Sequence, residues 1–217
     1  MLVVRALVSI VAAYLIGAIP SGYVAARLIK GVDVTKVGSG RIGGSNVLRA
    51  AGLLPAILTV LGDLAKGYAG VALAGVIAPD ASLAPVLAGL ASVAGHNWSV
   101  FLGFDGGVGT ATTFGAALAL MPLPAGVALA TGIVVTLIWR HTSLGSITFA
   151  LMLILAGIVS GAAGATPMDR VLFAAGTSAM ALWELRPNIE RLRRGTERKL
   201  GEYIPTGKND VQRGHRH

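Results

Sequence analysis

An all-α fold that crosses a membrane about seven times is predicted by three features of the sequence. Hydrophobic residues make up 54% of the 217 and charged residues only 13%, with mean hydropathy +0.72. A soluble domain of this length needs more polar surface to cover its core. Apolar runs recur along the chain, many near the ~20 residues that cross a ~30 Å hydrocarbon core. The basic residues, finally, fall between alternate runs and leave the others bare.

The runs lie at about 2–28, 53–78, 83–102, 110–139, 144–164 and 168–184. The first is too long and too apolar for a cleavable leader. It leads through Pro20-Ser21 into more helix-forming sequence and reads as a retained span. The fourth would be ~45 Å long as one helix at ~1.5 Å per residue, which overshoots the hydrocarbon. Its middle, Met121-Pro122-Leu123-Pro124, is a turn signal, and splitting there makes seven spans. Charge supports the split. With seven spans, residues 29–52, 103–109, 140–143 and the tail from 185 share one side and hold 14 of the 18 Lys and Arg. Six spans would put Arg140 and the tail opposite Lys30, Lys36, Arg41 and Arg49. The positive-inside rule therefore places the N-terminus outside and the C-terminus in the cytoplasm.

Residues 1–205 read as one membrane domain, and 206–217 as a disordered basic tail. The net charge of +8 points to anionic membrane lipid as a partner. Nucleic acid is excluded as a partner, because the cations are not interleaved with aromatics in a soluble domain. The absence of Cys excludes disulfides, thiolate metal sites and cysteine nucleophiles.

Polar chemistry is concentrated in the loops. The first reads Val37-Gly38-Ser39-Gly40-Arg41-Ile42-Gly43-Gly44-Ser45-Asn46-Val47-Leu48-Arg49. Glycines let a backbone approach a ligand closely, Ser39 and Asn46 add neutral hydrogen-bond groups, and Arg41 and Arg49 add planar forks suited to phosphate. A flexible turn with headgroup-facing arginines would look much the same. The second loop, from Gly95-His96-Asn97-Trp98 to Gly106-Gly107-Val108-Gly109-Thr110, ends in a Gly-Gly-x-Gly turn before an apolar run, a plausible phosphate nest. It carries Asp105 and no cation, which argues against a strong anion site. His96 reads with Asn97 as a catalytic or positioning pair, or alone as an interfacial residue, and Trp98 reads as an aromatic-belt anchor. The third loop supplies Arg140-His141-Thr142-Ser143, and the tail opens with Arg186-Pro187-Asn188-Ile189-Glu190-Arg191, which also fits a basic interfacial helix. Asp63 and Lys66 lie inside the second span, three residues apart on one helix face. Charges at membrane depth face the bundle interior. A structural ion pair and a buried polar site remain equal readings.

Taken in order, these segments resemble the PlsY family of acyl-phosphate:glycerol-3-phosphate acyltransferases. The resemblance runs from Gly17-Ala18-Ile19-Pro20-Ser21-Gly22 to Gly195-Thr196-Glu197. Its markers are the glycine-rich loop ending in Asn46 and Arg49, Asp63 with Lys66-Gly67, the Gly95-His96 to Gly109 loop, Ser143, and Asn188-Ile189 with Arg191-Leu192. No single marker is specific, but five in sequence are. The resemblance implies a seven-span enzyme of the bacterial inner or plasma membrane with its motifs in the cytoplasm. It implies transfer of a fatty acyl group from acyl-phosphate to the 1-hydroxyl of glycerol 3-phosphate, giving lysophosphatidic acid for phospholipid synthesis. No metal, coenzyme A or other cofactor is implied. The donor is already a mixed anhydride, so positioning and charge stabilisation suffice.

Carried over by position, Ser39, Asn46, Arg49 and Asn188 form the catalytic group. Arg41, Lys66, His96, Gly106, Gly107, Gly109 and Ser143 fall to substrate binding. The sequence departs from the family where Asp105 and Val108 replace two lysines, Leu185 replaces a histidine and Arg41 replaces an asparagine. Arg41 could restore a missing cation from across the site. These departures give the alternative reading, an impaired family member that serves as a lipid-binding or partner protein. A small transporter would rest on Asp63 and Lys66 alone, with no internal repeat behind it.

Overall fold

The computed structural model describes residues 1–200, so the expected tail at 206–217 lies outside the described residues. Among the described residues there are ten α-helices, two 3₁₀ turns and no strand. Helix α1 (Leu2–Ala18) stops at Ile19, and α2 (Ser21–Lys30) continues after Pro20. The first apolar run is therefore a broken rod. Pro20 has no N–H to donate, and it pushes Ile19 out of the helical region to ψ 118°.

A short helix, α3 (Gly44–Ala51), lies inside the first loop and leads through Gly52 into α4 (Leu53–Ile77). Helix α5 (Ala84–Asn97) ends before its apolar run does, because Ser99 turns extended and Val100–Leu102 form a 3₁₀ turn. The break at 121–124 is present. Helix α6 (Thr110–Leu120) gives way at Met121, φ −153°, to α7 (Pro122–Trp139), with proline at the start of the new helix where its missing N–H costs nothing. Helices α8 (Thr142–Ala162), α9 (Arg170–Glu184) and α10 (Arg186–Arg193) complete the chain.

With α1 and α2 taken as one rod and the short α3 and α10 set aside, seven helical rods follow one another among the described residues. Four helical segments, 2–30, 53–77, 122–139 and 142–162, are long and apolar enough to cross a membrane. Helices α5, α6 and α9 are shorter, with 14, 11 and 15 residues. At ~1.5 Å per residue, α6 is about half as long as the hydrocarbon is thick. Large apolar side chains such as Val3, Leu7, Leu137, Ile138 and Val159 cover the outside, a surface suited to lipid.

The closest helix pairs are α7 with α8, α1 with α5, and α4 with α6. Small residues make these approaches possible. A Cβ at Gly17 or Gly95 would overlap backbone across the α1–α5 contact, and one at Gly67 or Gly115 would do so across α4–α6. Lipid gives apolar side chains little reason to leave it, so close backbone packing holds such helices together. Val86, Leu120, Met121, Phe149, Leu153 and Phe173 fill the central core. A second cluster, built on Ala26, Val34, Ile42 and Val47, lies under the first loop and holds it to α2 and α4.

Candidate functional site

The first loop is organised around one buried side chain. The Asn46 amide nitrogen reaches the carbonyls of Val34, Val37 and Arg41 at 3.1, 3.0 and 2.9 Å, and its oxygen accepts from the Ser39 N–H at 3.0 Å. Gly38 and Gly40 supply the positive φ, 65° and 73°, that lets the chain wrap this amide. Both amide hydrogens of Asn46 are thus committed inside the protein. Ser39 is half-buried, and its hydroxyl makes no hydrogen bond among the described residues.

Arg49 lies one helical turn after Ser45 on α3. Its guanidinium donates to the Ser45 hydroxyl at 2.9 Å, and Ser45 pairs with Thr142 at the same distance. That contact joins the first loop to the start of α8. The next residue, Ser143, is buried and donates to Glu197 at 2.9 Å. Asn188 donates to the same carboxylate at 2.7 Å, and Arg191 binds its other oxygen at 2.7 Å. Burial raises the Glu197 pKa, but hydrogen bonds from Asn188, Arg191 and Ser143 outweigh it and hold the carboxyl below the ordinary glutamate value. The segment after α10 folds back over this point. His141 Nδ1 meets the Arg198 carbonyl at 3.1 Å, the Leu200 N–H reaches the Arg140 carbonyl at 2.6 Å, and Arg198 reaches the Gly38 carbonyl at 3.4 Å. Residues 198–200 are thus tied to two loops, which a segment lying loosely on headgroups would not be. Arg140, Glu197, Arg198 and Lys199 line an open cleft of about 430 Å³ here.

The second loop sits on the end of α5. Gly107 donates its N–H to the His96 carbonyl at 3.1 Å, and a Cβ there would overlap the imidazole. Gly106 is pressed against the carbonyls of His96 and Asn97. Gly109, at φ 82°, begins α6. These glycines are accounted for by close packing, and the Gly107 N–H already has its acceptor. Asp105 is exposed and Val108 half-buried.

Beneath this turn lie Asp63, Lys66 and His96, with side chains 3–4% exposed. Lys66 is 2.8 Å from the Asp63 carboxylate, which lies 3.4 Å from His96 Nδ1. Lys66 also donates to the Ile19 carbonyl at 2.9 Å, at the break in the first rod. Lys66 and His96, expected at a substrate, are both buried, His96 against Gly107 and Lys66 against Asp63 and the Ile19 carbonyl. Arg41 likewise departs from expectation. Its guanidinium lies 3.1 Å from the Glu184 carboxylate and also donates to the Glu184 carbonyl, at the end of α9. Leu185, where the resemblance implies a histidine, is buried and offers no polar group.

One end of the bundle therefore gathers Ser39, Asn46, Arg49, Ser143 and Asn188 from three separate loops. Two glutamates in the network, Glu184 and Glu197, carried no weight in the sequence reading. The signal for Glu197 was available, since it is a carboxylate set among five cations between 191 and 199. Among the described residues no group of three or more His, Cys, Asp or Glu is placed to hold a metal.

Comparison with known proteins gives consistent results. The model of the glycerol-3-phosphate acyltransferase family matches residues 7–195. The glycerol-3-phosphate acyltransferase of Rubrobacter xylanophilus is 44% identical over 189 residues, 87% of this chain and 92% of that protein. That of Shouchella clausii is 37% identical over 202 residues, 93% of this chain and 98% of its own length. The crystal structure of PlsY, an integral membrane glycerol 3-phosphate acyltransferase, in its glycerol 3-phosphate form superposes with TM-score 0.83 at 35% identity, covering 95% of this chain and 98% of that one. Its lysophosphatidic acid form gives TM-score 0.81 at 36% identity, covering 90% and 95%.

Proposed function

The chain belongs to the glycerol-3-phosphate acyltransferase family of multi-pass membrane proteins, and on that premise we propose that it draws its acyl group from acyl-phosphate in the inner or plasma membrane of a bacterium. The 1-hydroxyl oxygen of glycerol 3-phosphate forms the new bond to the acyl carbon. The bond from that carbon to the phosphate oxygen breaks, and inorganic phosphate leaves carrying the hydroxyl proton. Lysophosphatidic acid is the product.

The observation that carries this reading is the convergence of Arg49, Ser143 and Asn188, through Ser45–Thr142 and Glu197, at one end of the bundle. The forked Arg49 cation suits a phosphate dianion. The Ser143 hydroxyl, which donates to Glu197 here, would exchange that carboxylate for phosphate, while Asn188 has a second amide hydrogen to offer. The Ser39 hydroxyl is a fourth donor, and Asn46 is a positioning residue that holds Ser39 in place. His96 acts from beneath, packed against Gly106 and Gly107, and Lys66 supports it through Asp63, so that neither touches substrate.

The second loop has no lysine to hold a phosphate, and Arg41 is held by Glu184, so Arg41 does not replace what Asp105 and Val108 remove. Turnover with weak affinity for glycerol 3-phosphate is the consequence. The side of the membrane follows from charge, with the site in the cytoplasm.

Purified protein given acyl-phosphate and labelled glycerol 3-phosphate tests the proposal. Lysophosphatidic acid should form, and Arg49→Ala should lower kcat/KM at least about tenfold, the effect of one charge-assisted hydrogen bond worth ~1.5–3 kcal/mol. No product from the wild type, in a protein that melts cooperatively, would replace this reading with that of a non-catalytic family member.

A further inference from the structure

Arg41 of the first glycine-rich loop and Trp98 of the second meet at Glu184, which belongs to neither loop. Arg41 is in the first loop, and its backbone carbonyl accepts from Asn46 at 2.9 Å, so it is part of the assembly that holds Ser39. Its side chain leaves the loop for α9, where the guanidinium meets the Glu184 carboxylate at 3.1 Å. The other carboxylate oxygen accepts from the Trp98 indole N–H at 3.0 Å. Trp98 is the residue on which α5 ends, and its own carbonyl accepts from the Tyr14 hydroxyl at 2.8 Å. Immediately before it stand His96 and Asn97, the surface on which Gly106, Gly107 and Gly109 are packed.

A single carboxylate, with its two oxygens facing opposite ways, thus links the Asn46 assembly to the platform of the second loop. The side chains of Arg41 and Glu184 are 23% and 18% exposed. That burial limits screening by solvent without imposing the desolvation cost of a sealed pair.

We propose that Glu184 is a positioning residue for the transfer reaction, holding the two loops in register by clamping Arg41 on one side and Trp98 on the other. The proposal rests on the acyltransferase reading above. The loops bring their own ligand groups, and Glu184 touches no substrate. What it sets is the distance between them before substrate arrives, so the clamp removes part of the ordering that binding would otherwise have to complete. The clamp also explains why Arg41 does not serve as a substitute cation for the second loop.

Its signature is a change in KM for glycerol 3-phosphate that exceeds the change in kcat. A purely structural role would lower the fraction of folded, active protein, reducing kcat and leaving KM unchanged.

The experiment measures both constants for Arg41→Ala, Trp98→Phe, Glu184→Ala and their pairs in purified protein. Glu184→Gln serves as the near-isosteric variant in case Glu184→Ala fails to fold. Arg194→Ala is the control, since it breaks an exposed ion pair with Glu190 that joins no loops. Each clamp variant should raise KM about three- to tenfold, less than the loss of a direct substrate contact, because the clamp is part-exposed and acts on substrate only through loop geometry. The pair Arg41→Ala with Trp98→Phe should fall short of the product of the two single effects, because both side chains meet at one carboxylate. Arg41 also donates to the Glu184 carbonyl, a bond that Glu184→Ala leaves in place. Glu184→Gln, which keeps an acceptor for Trp98, should fall between wild type and Glu184→Ala, and Arg194→Ala should match wild type. An active wild type whose clamp variants keep KM unchanged would overturn the clamp alone, as would additive effects of Arg41→Ala and Trp98→Phe. A wild type without turnover would overturn the acyltransferase reading and the clamp with it.

Discussion

Lys66 lies one turn from Asp63 on α4, with its ammonium 2.8 Å from the carboxylate and both side chains almost wholly buried. The pair is placed where three features meet: the carbonyl of Ile19 at the proline break, the His96 imidazole, and the glycine turn above it. Its geometry favours a supporting role over one in substrate contact.

Removing one member should cost far more than removing both. Lys66→Met leaves a buried carboxylate without its cation, a change worth about 3–5 kcal/mol, whereas a pair replaced by neutral groups is often close to neutral. Thermal melting in detergent should show a large loss for Lys66→Met and a clearly smaller one for Asp63→Asn with Lys66→Met. A double variant as unstable as the sum of the single ones would show that the two residues are not coupled.

The grouping of the loops was legible because charge marks one end of the bundle, and the break at Met121 because Pro122 and Pro124 mark it. The break at Pro20 was hidden by apolarity, since hydropathy does not register a missing N–H. The end of α5 was hidden likewise, because Val100-Phe101-Leu102 continue the apolar run past the last helical residue. The partners of the two glutamates escaped for a different reason. Glu197 meets Ser143 across 54 residues and Glu184 meets Trp98 across 86, distances over which spacing carries no signal. Asn46 was visible as a polar residue in a glycine loop, but only the fold shows that its amide faces inward to three carbonyls.

The docking of the tail should depend on pH through Glu197. Its folded pKa lies below the ordinary value, so its contribution is fully present above the ordinary glutamate range. It is lost as pH falls through the lowered folded value, when the protonated acid gives up its charge-assisted bond to Arg191. Hydrogen exchange of residues 195–200 should therefore be slow near neutrality and lose protection only under acid conditions. Glu197→Gln should show the unprotected behaviour at neutral pH, and a variant as protected as the wild type would remove the carboxylate from this role.

The orientation of the bundle can be read with single cysteines, because the chain has none of its own. Ala163 and Arg193 are both exposed and lie at opposite ends. With the basic loops in the cytoplasm, a membrane-impermeant thiol reagent applied to intact cells should label Ala163→Cys and spare Arg193→Cys until the membrane is opened. The reverse pattern would invert the topology, and labelling of both from outside would defeat the odd number of spans.

The second loop carries the most informative departure. Asp105 is exposed beside a turn whose Gly107 N–H is already committed to His96, so an incoming phosphate would meet a negative charge and one fewer donor. Both effects weaken anion binding even after screening by salt. Asp105→Lys with Val108→Lys reverses the charge while leaving Gly106, Gly107 and Gly109 in their packing positions. The affinity for glycerol 3-phosphate should rise, and most steeply at low ionic strength. Arg41 separates two accounts of the native protein. Were it a substitute cation for the missing lysines, Arg41→Asn would be severe in the native background and mild once lysines are present. Its guanidinium is engaged by Glu184 instead, so Arg41→Asn should raise KM by the same factor in both backgrounds. A double-mutant cycle on KM for glycerol 3-phosphate measures this directly. Strong coupling between Arg41 and position 108 would show that the guanidinium leaves Glu184 to reach the second loop when substrate binds.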